Sequence, residues 1–544
     1  MIKNIDLKNL FSKGMGSETV LSFDACDRFT QINFVADGSF ANELFYSFYG
    51  REFLHSNSNC AYKCEYGLFY PFSMVGFNTS DKGITIIADN VKPGVISLEK
   101  KQDKISFGFG FPTEEGQQIN FLCKSHSAYF FDGIEFYRQW YKNRFSSLPK
   151  SNIEAKDVFH LRRYFLNKDL SSAYIWDGDN INLEKTYHSD CATFGGVDAG
   201  LLFDLAYNPQ TKIRCGNLES VYPKGRLLNQ LMEQIEHLQT RENCLLFTYT
   251  DPYLVQQGSY IDTDCRYITP ILCENGDIFR MWGDKQWAPC ISQQEWQDYI
   301  CGYINSALML TRCKGVYLDE FGHGSQYICR AENHSHGEKF DQPYEESRFL
   351  AKLQNTLPNQ LWMCEFPPCD SSKIDMDIVM CDTRSLVNIY RFVFPQLKFV
   401  RIIGCDGPIG DNLWDVNKSF FNGEGLWLDG DADDSFWYSD KVKKAICGQY
   451  EVLKNYSSFF CSDKVRPLEL TTENGVVANC FELDGKVLLT FINPKEHTIC
   501  DKVSDSGFEF VKNLYNSAIT TNGGSDWTVT LEPYQVCCAL FDKL

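Results

Sequence analysis

The sequence predicts an α/β protein: a central (β/α)8 TIM barrel with an N-terminal β-sandwich before it and a small C-terminal β-sandwich after it. Three observations lead there. From about residue 155 to about 455, short apolar runs alternate with helical patterns, the texture of βα units. Eight such runs fall within roughly 260 residues, the usual span of an eight-stranded barrel. Runs rich in β-formers and punctuated by turn residues lie on both sides. At 544 residues the chain is also too long for one core, since domains mostly run to roughly 100–200 residues. The expected division is 1–150, 151–460 and 461–544.

In the first part, ITIIADN (84–90), GVISLEKK (94–101) and KISFGFGF (104–111) read as strands separated by Gly, Pro, Asp and Asn. FDGIEFYRQWYKNRF (131–145) reads as a helix with Ile134, Tyr137, Trp140 and Tyr141 on one face, and Pro149 marks a boundary. The barrel strand candidates are AYIWD (173–177), GLLFDL (200–205), CLLFTYT (244–250), GVYLD (315–319), LWMCE (361–365), IVMCD (378–382), FVRIIG (399–404) and GLWLD (425–429). Between them, 224–242 and 293–313 carry apolar residues at helical spacing, the second through Trp296, Ile300, Tyr303, Ile304 and Leu308. A helix over 441–460 leads out of the barrel. VVANCFEL, KVLLTFINP and WTVTLEPYQVCCALF then alternate as strands of the last domain.

Composition narrows the function. The chain is 44% hydrophobic and 23% charged, as folded globular proteins are. Its 71 acidic residues outnumber 52 basic ones, for a net charge of −19, which disfavours binding to nucleic acid or to an anionic membrane surface. An aromatic share of 15% suits stacking on sugar rings or bases, and equally suits core filling. The 23 cysteines are odd in number and contain no CxxC, unlike a disulfide scaffold or a zinc ribbon. MIKNIDLKNLFSKGMGSE holds no apolar run long enough for a signal peptide, and no later stretch of about 18 apolar residues occurs. The expectation is a soluble, cytoplasmic protein with reduced thiols, its assembly into a homo-oligomer left open.

The most informative segment is KGVYLDEFGHG (314–324), a short strand with carboxylates at its C-terminal end, where barrel enzymes keep catalytic groups. Alternation separates the two acids. Val316, Leu318 and Glu320 share one face; Gly315, Tyr317 and Asp319 share the other. The branched pair should pack on the outer helices, so Asp319 points into the barrel mouth and Glu320 less so. Asp319 could instead cap the following turn. LWMCEFPPCD (361–370) repeats the form, with Glu365 at its strand end. Two carboxylates at neighbouring strand ends match glycoside hydrolysis, in which one attacks or steadies the oxocarbenium-like centre and the other protonates the leaving oxygen. A lone strand-end Glu more often forms a salt bridge.

GVYLDEFG, followed by ENHSHG and by a strand ending in Glu, resembles the barrel of a group of glycoside hydrolase-like bacterial proteins. These are distantly similar to the α-amylase clan and to endo-α-N-acetylgalactosaminidases. The motifs cover 314–337 and 361–366; the flanking β-domains match in architecture. The resemblance implies Asp319 as nucleophile and Glu365 as acid/base in a retaining glycosidase, or a transglycosylating relative, acting on an α-linked sugar without a cofactor. A catalytically silent carbohydrate-binding protein on the same scaffold is the alternative, since fold alone does not confer chemistry.

CRAENHSHG (329–337), with His323 just upstream, gathers three of the nine histidines behind the fourth strand. Cys329, His334 and His336 could ligate a metal, but the set lacks a fourth ligand at conventional spacing. His323, His334 and His336 are therefore read as substrate contacts and no metal is expected. An amidohydrolase-type centre is excluded, because it needs HxH on the first strand and histidines downstream, whereas only His497 follows His336. Trp176, Asp177, Tyr249, Asp251, Asp382 and Asp406, at or just beyond strand ends, are further candidates for binding sugar hydroxyls or rings. Trp282 and Trp287 lie in a long loop, and Trp287 is added as an aromatic platform.

Overall fold

The computed structural model describes residues 2–26, 28–43, 45–47, 60–65, 71–90, 92–101, 103–151, 161–164, 191–194, 245–256, 262, 267–281, 286–322, 327–336, 340–381, 386–403, 413–428, 439–504, 506–523 and 525–544. Two five-stranded sheets come first. One runs in the order Ile2–Asp6, Phe29–Asp37, Lys104–Pro112, Val95–Lys101, Cys60–Glu65, and the other Glu18–Asp24, Gln118–Ser127, Lys82–Ala88, Met74–Asn78, Phe45–Ser47. They meet through Phe34 and Phe121, 5.2 Å apart, and through Phe77 and Phe107, 6.3 Å apart. The FGFGF repeat explains the fit: Phe107, Phe109 and Phe111 alternate onto the buried face while the glycines take the other.

Eight parallel strands then close into a barrel, labelled here β1 (Leu161–Tyr164), β2 (Cys191–Phe194), β3 (Leu245–Thr250), β4 (Gly315–Leu318), β5 (Leu361–Cys364), β6 (Ile378–Cys381), β7 (Lys398–Ile403) and β8 (Gly425–Leu428). Six of these coincide with expected strands. The first two do not. LRRY and CATF lack the continuous apolar run used to find buried parallel strands, so the positions assigned to 173–177 and 200–205 belong to other segments. Those two segments, and the helical pattern at 224–242, lie outside the described residues.

The strand phase follows the alternation. Phe247, Tyr317, Leu361, Met363, Ile378, Met380, Val400 and Trp427 form one buried cluster inside the barrel. Val316, Leu318, Trp362, Cys364, Val379 and Phe399 face the other way, into the main core with the helices. Gly315 makes the interior possible: a Cβ there would lie 2.2 Å from the Phe247 ring. Helix Gln294–Thr311 buries Trp296, Ile300, Tyr303, Ile304 and Leu308, as its spacing required.

Asp370, in the loop after β5, ties the first sheets to the barrel. Its Oδ2 accepts from Ser73 N at 2.7 Å, Ser73 Oγ at 2.8 Å and Tyr137 OH at 2.6 Å. After the barrel, helices Asp440–Asn455 and Ser457–Phe460 lead to a five-stranded and a three-stranded sheet. That last part docks where Asn479 and Thr490 donate to the Phe421 carbonyl at 2.9 and 2.7 Å. Among the described residues no helix is long and apolar enough to cross a membrane.

One buried ion pair stiffens the far side of the barrel. Arg401 on β7 donates from Nε to Glu424 Oε2 at 2.9 Å, and Asn388 donates to Oε1 at 2.5 Å, with both charged side chains almost wholly buried. Removing one partner strands a buried charge, which typically costs roughly 3–5 kcal/mol. Glu424→Ala is therefore expected to lower the urea midpoint of the barrel by that order, whereas Glu482→Ala, at a more exposed pair with Lys543, changes it little.

Candidate active site

The site forms where β4 and β5 end. Asp319 N donates to Thr250 O at 2.8 Å and Glu365 N donates to Leu318 O at 3.2 Å, so the ladder positions both strand-end acids. Glu320 then adopts a left-handed backbone, φ +55°, which is uncommon for a residue with a Cβ. This turn aims the Glu320 N–H at Glu365, whose Oε2 accepts it at 2.7 Å. Gly322 completes the turn with φ +102°; a Cβ there would sit 2.2 Å from the Phe366 carbonyl oxygen, so only glycine lets the two loops ride on each other.

Asp319 lies on the barrel-interior face, one step beyond Tyr317, and Oδ1 accepts a short hydrogen bond from the Tyr317 hydroxyl. Tyr317 is fixed in turn against Trp427, ring centroids 4.9 Å apart. Alternation had placed Tyr317 on the face of Asp319, so this partner was available from the same pattern. Glu320 is buried, and its Oε2 accepts from Tyr327 OH at 2.6 Å. The loop after β4 therefore folds back on the strand end.

Burial, the charge of Asp319 and then that of Glu320 hold the Glu365 carboxyl well above the usual carboxylate range. The Glu320 N–H bond to Glu365 Oε2 works the other way, toward the charged form, and is outweighed. A carboxyl raised in this way keeps a proton to give at neutral pH, as an acid catalyst requires.

An aromatic and carboxyl wall backs the site. Tyr327 stacks on Tyr253, centroids 4.1 Å apart at 14°, and Tyr253 OH donates to Glu346 Oε1 at 2.7 Å. Gln342 spans both, donating to Glu346 at 2.8 Å and accepting from Tyr327 N at 2.7 Å. Full burial pushes Glu346 up to about 7. Its folded form then binds a proton more tightly than its unfolded form, so it contributes stability at low pH that is lost as pH rises from about 4.5 to about 7. Unfolding free energy is expected to fall across that window by up to roughly 3 kcal/mol from this group, and Glu346→Gln is expected to make the slope shallower.

The other expected site residues divide. Asp251 is buried, and its Oδ1 accepts from Tyr253 N at 2.8 Å, so it turns the chain beneath the Tyr253–Tyr327 stack. Tyr249 occupies β3 opposite Tyr317. Trp287 is corrected: it is only 6% exposed, with Nε1 donating to Asp262 at 2.9 Å, which makes it a core residue and not a platform for a sugar. Trp176, Asp177, Trp282, His323, Asp382 and Asp406 lie outside the described residues.

His334 and His336 are also corrected as substrate contacts. His334 engages Thr269 Oγ1 through Nε2 at 2.6 Å and Cys329 Sγ through Nδ1 at 3.2 Å. Both nitrogens of His336 are buried and have no hydrogen-bond partner. These side chains turn inward because the loop closes on Cys290, which the sequence reading did not connect to them. One ligand atom from each of Cys290, Cys329, His334 and His336 lies within 4.8 Å of all the others.

No protein-family model matches the chain, and no curated protein matches it. Solved structures do match. A mutant of Kfla1895 in complex with cyclobis-(1→6)-α-nigerosyl superposes with a TM-score of 0.60 at 10% identity, over 97% of this chain and 78% of that one. A GH31 sulfoquinovosidase from E. rectale gives 0.59 at 10% identity, over 96% and 85%. The GH36 α-galactosidase AgaA from Geobacillus stearothermophilus gives 0.56 at 12% identity, over 96% and 76%. At such identities the likeness is one of fold, and that fold is glycoside hydrolase-like.

Proposed function

We propose that this chain is a retaining glycosidase acting on an α-linked sugar, with residues 151–460 as its catalytic (β/α)8 barrel between β-sandwich domains at 1–150 and 461–544. The observation that carries the reading is the pairing of Asp319 and Glu365 at neighbouring strand ends, with the Glu365 carboxyl raised by burial and by the charge of Asp319. The fold is consistent with it: the structural neighbours include an α-galactosidase and a protein bound to an α-nigerosyl ring.

In this mechanism Tyr317 holds Asp319 Oδ1, leaving attack at the anomeric carbon to Oδ2. Glu365 gives its proton to the departing glycosidic oxygen as the C–O bond breaks, and a glycosyl ester forms on Asp319. Glu365, now charged, takes a proton from water as that water attacks the anomeric carbon, and Asp319 leaves as carboxylate. A retaining pair works at a separation of about 5–5.5 Å, with the sugar held between the two acids.

The bond from Glu320 N–H to Glu365 Oε2 also favours a second assignment. If Glu365 keeps that bond, it acts as a positioning residue beside the nucleophile. The acid role then passes to another of the strand-end carboxylates, of which Asp382 follows β6 directly in the sequence.

A panel of aryl α- and β-glycosides tests the class. Turnover confined to α-glycosides, with proton NMR showing the substrate's anomeric configuration in the first-formed product, is expected. Clean inversion removes the double displacement. Sugar binding with no turnover of any member supports a silent carbohydrate-binding protein instead.

A further inference from the structure

We infer that Cys290, Cys329, His334 and His336 form a structural zinc site that clips the loop after β4 to the segment preceding helix Gln294–Thr311. Two thiolates and two imidazoles are a ligand set of structural zinc, and they neutralise the ion's charge. Four protein ligands leave no position for water, so the role is structural. The mutual limit of 4.8 Å brackets a tetrahedral set, whose edges at zinc bond lengths run to roughly 3.3–3.8 Å.

The surroundings are built for a metal. Thr269 Oγ1 donates its proton to Gln293 Oε1 at 2.7 Å, so toward His334 Nε2, 2.6 Å away, it can only accept. His334 is thereby held as the Nε2–H tautomer, with the Nδ1 lone pair facing Cys329. Gln293 is itself anchored, donating to Thr269 O at 2.7 Å and to Cys290 O at 3.2 Å, so one residue supports both halves of the cluster. His336 presents two buried nitrogens with no hydrogen-bond partner, a costly arrangement that a bound cation relieves. Cys290 and Cys329 are free thiols.

The clip sits two residues from Tyr327, whose hydroxyl holds Glu320. A metal there braces the loop behind the strand end without entering it.

The test uses the full chain, freed of any histidine tag and purified with reductant. Elemental analysis is expected to find about one equivalent of zinc, falling below about a tenth in Cys290→Ser and in His336→Ala. Cobalt(II) exchanged into the wild-type chain is expected to show the intense ligand-field bands of tetrahedral coordination and a thiolate-to-cobalt charge-transfer band. Thr269→Val is expected to weaken zinc affinity roughly 10–100-fold in a chelator competition. If the variants fail to fold, the wild-type zinc content and cobalt spectrum decide alone. Less than about a tenth of an equivalent after incubation with zinc, an octahedral cobalt spectrum, or a Cys290–Cys329 disulfide in place of metal overturns the site.

Discussion

Asp319→Asn is expected to reduce kcat/KM by at least roughly 10⁴-fold, since loss of a nucleophile removes the covalent route altogether. Thermal stability should hardly change, because the amide can still accept from the Tyr317 hydroxyl and the ladder bond from Asp319 N to Thr250 O is untouched. Glu320→Gln should be much milder, because Glu320 meets Tyr327 rather than the reacting centre. Tyr317→Phe falls between them: it leaves Oδ1 without this donor and is expected to lower kcat more than it raises KM. Steady-state kinetics on an activated aryl α-glycoside, with a melting curve for each variant, checks the series. A dead Glu320→Gln beside an active Asp319→Asn places the nucleophile one residue further on.

Glu365→Gln should have the next largest effect, roughly 10²–10⁴-fold, graded by leaving group. Substrates with poor leaving groups need the proton most and should lose most; with Glu365→Ala, azide should restore turnover of activated substrates by attacking the glycosyl ester without a base. The pH profile carries a further signature. Burial and the charge of Asp319 raise Glu365, so it stays protonated at pH values where an ordinary Glu is charged, and activity should fall only as pH rises through that elevated value. Because the charge of Asp319 raises Glu365, the descending limb belongs to the pair rather than to one residue. Glu365→Gln should abolish that limb. If the limb and the leaving-group dependence survive in Glu365→Gln but vanish in Asp382→Asn, Glu365 is a positioning residue and Asp382 the acid.

Much of this centre was readable from local pattern. Period-two alternation in GVYLD puts Tyr317 beside Asp319, because successive strand residues must face opposite sides, whereas Glu320 is oriented by its left-handed turn. Helical spacing likewise identified the buried face of Gln294–Thr311. Pattern failed where chemistry is not apolar: β1 and β2 carry arginines or small polar residues, and a rule that seeks continuous apolar runs passes over them. It failed again at Trp287, since an aromatic residue in a loop looks the same whether it faces water or the core.

By itself, then, the sequence determined the barrel texture, the phase of β4 and the two strand-end carboxylates, all of which depend on neighbours within a few positions. Only the tertiary structure decided what surrounds those groups. The left-handed turn at Glu320 brings its N–H to Glu365, and the nearness of Asp319 to Glu365 raises the second acid. The closing of one loop on another adds Cys290 to Cys329, His334 and His336. Each of these depends on distances between residues far apart in the chain. Electrostatic coupling and metal ligation respond to separation in space, which no spacing along the sequence records.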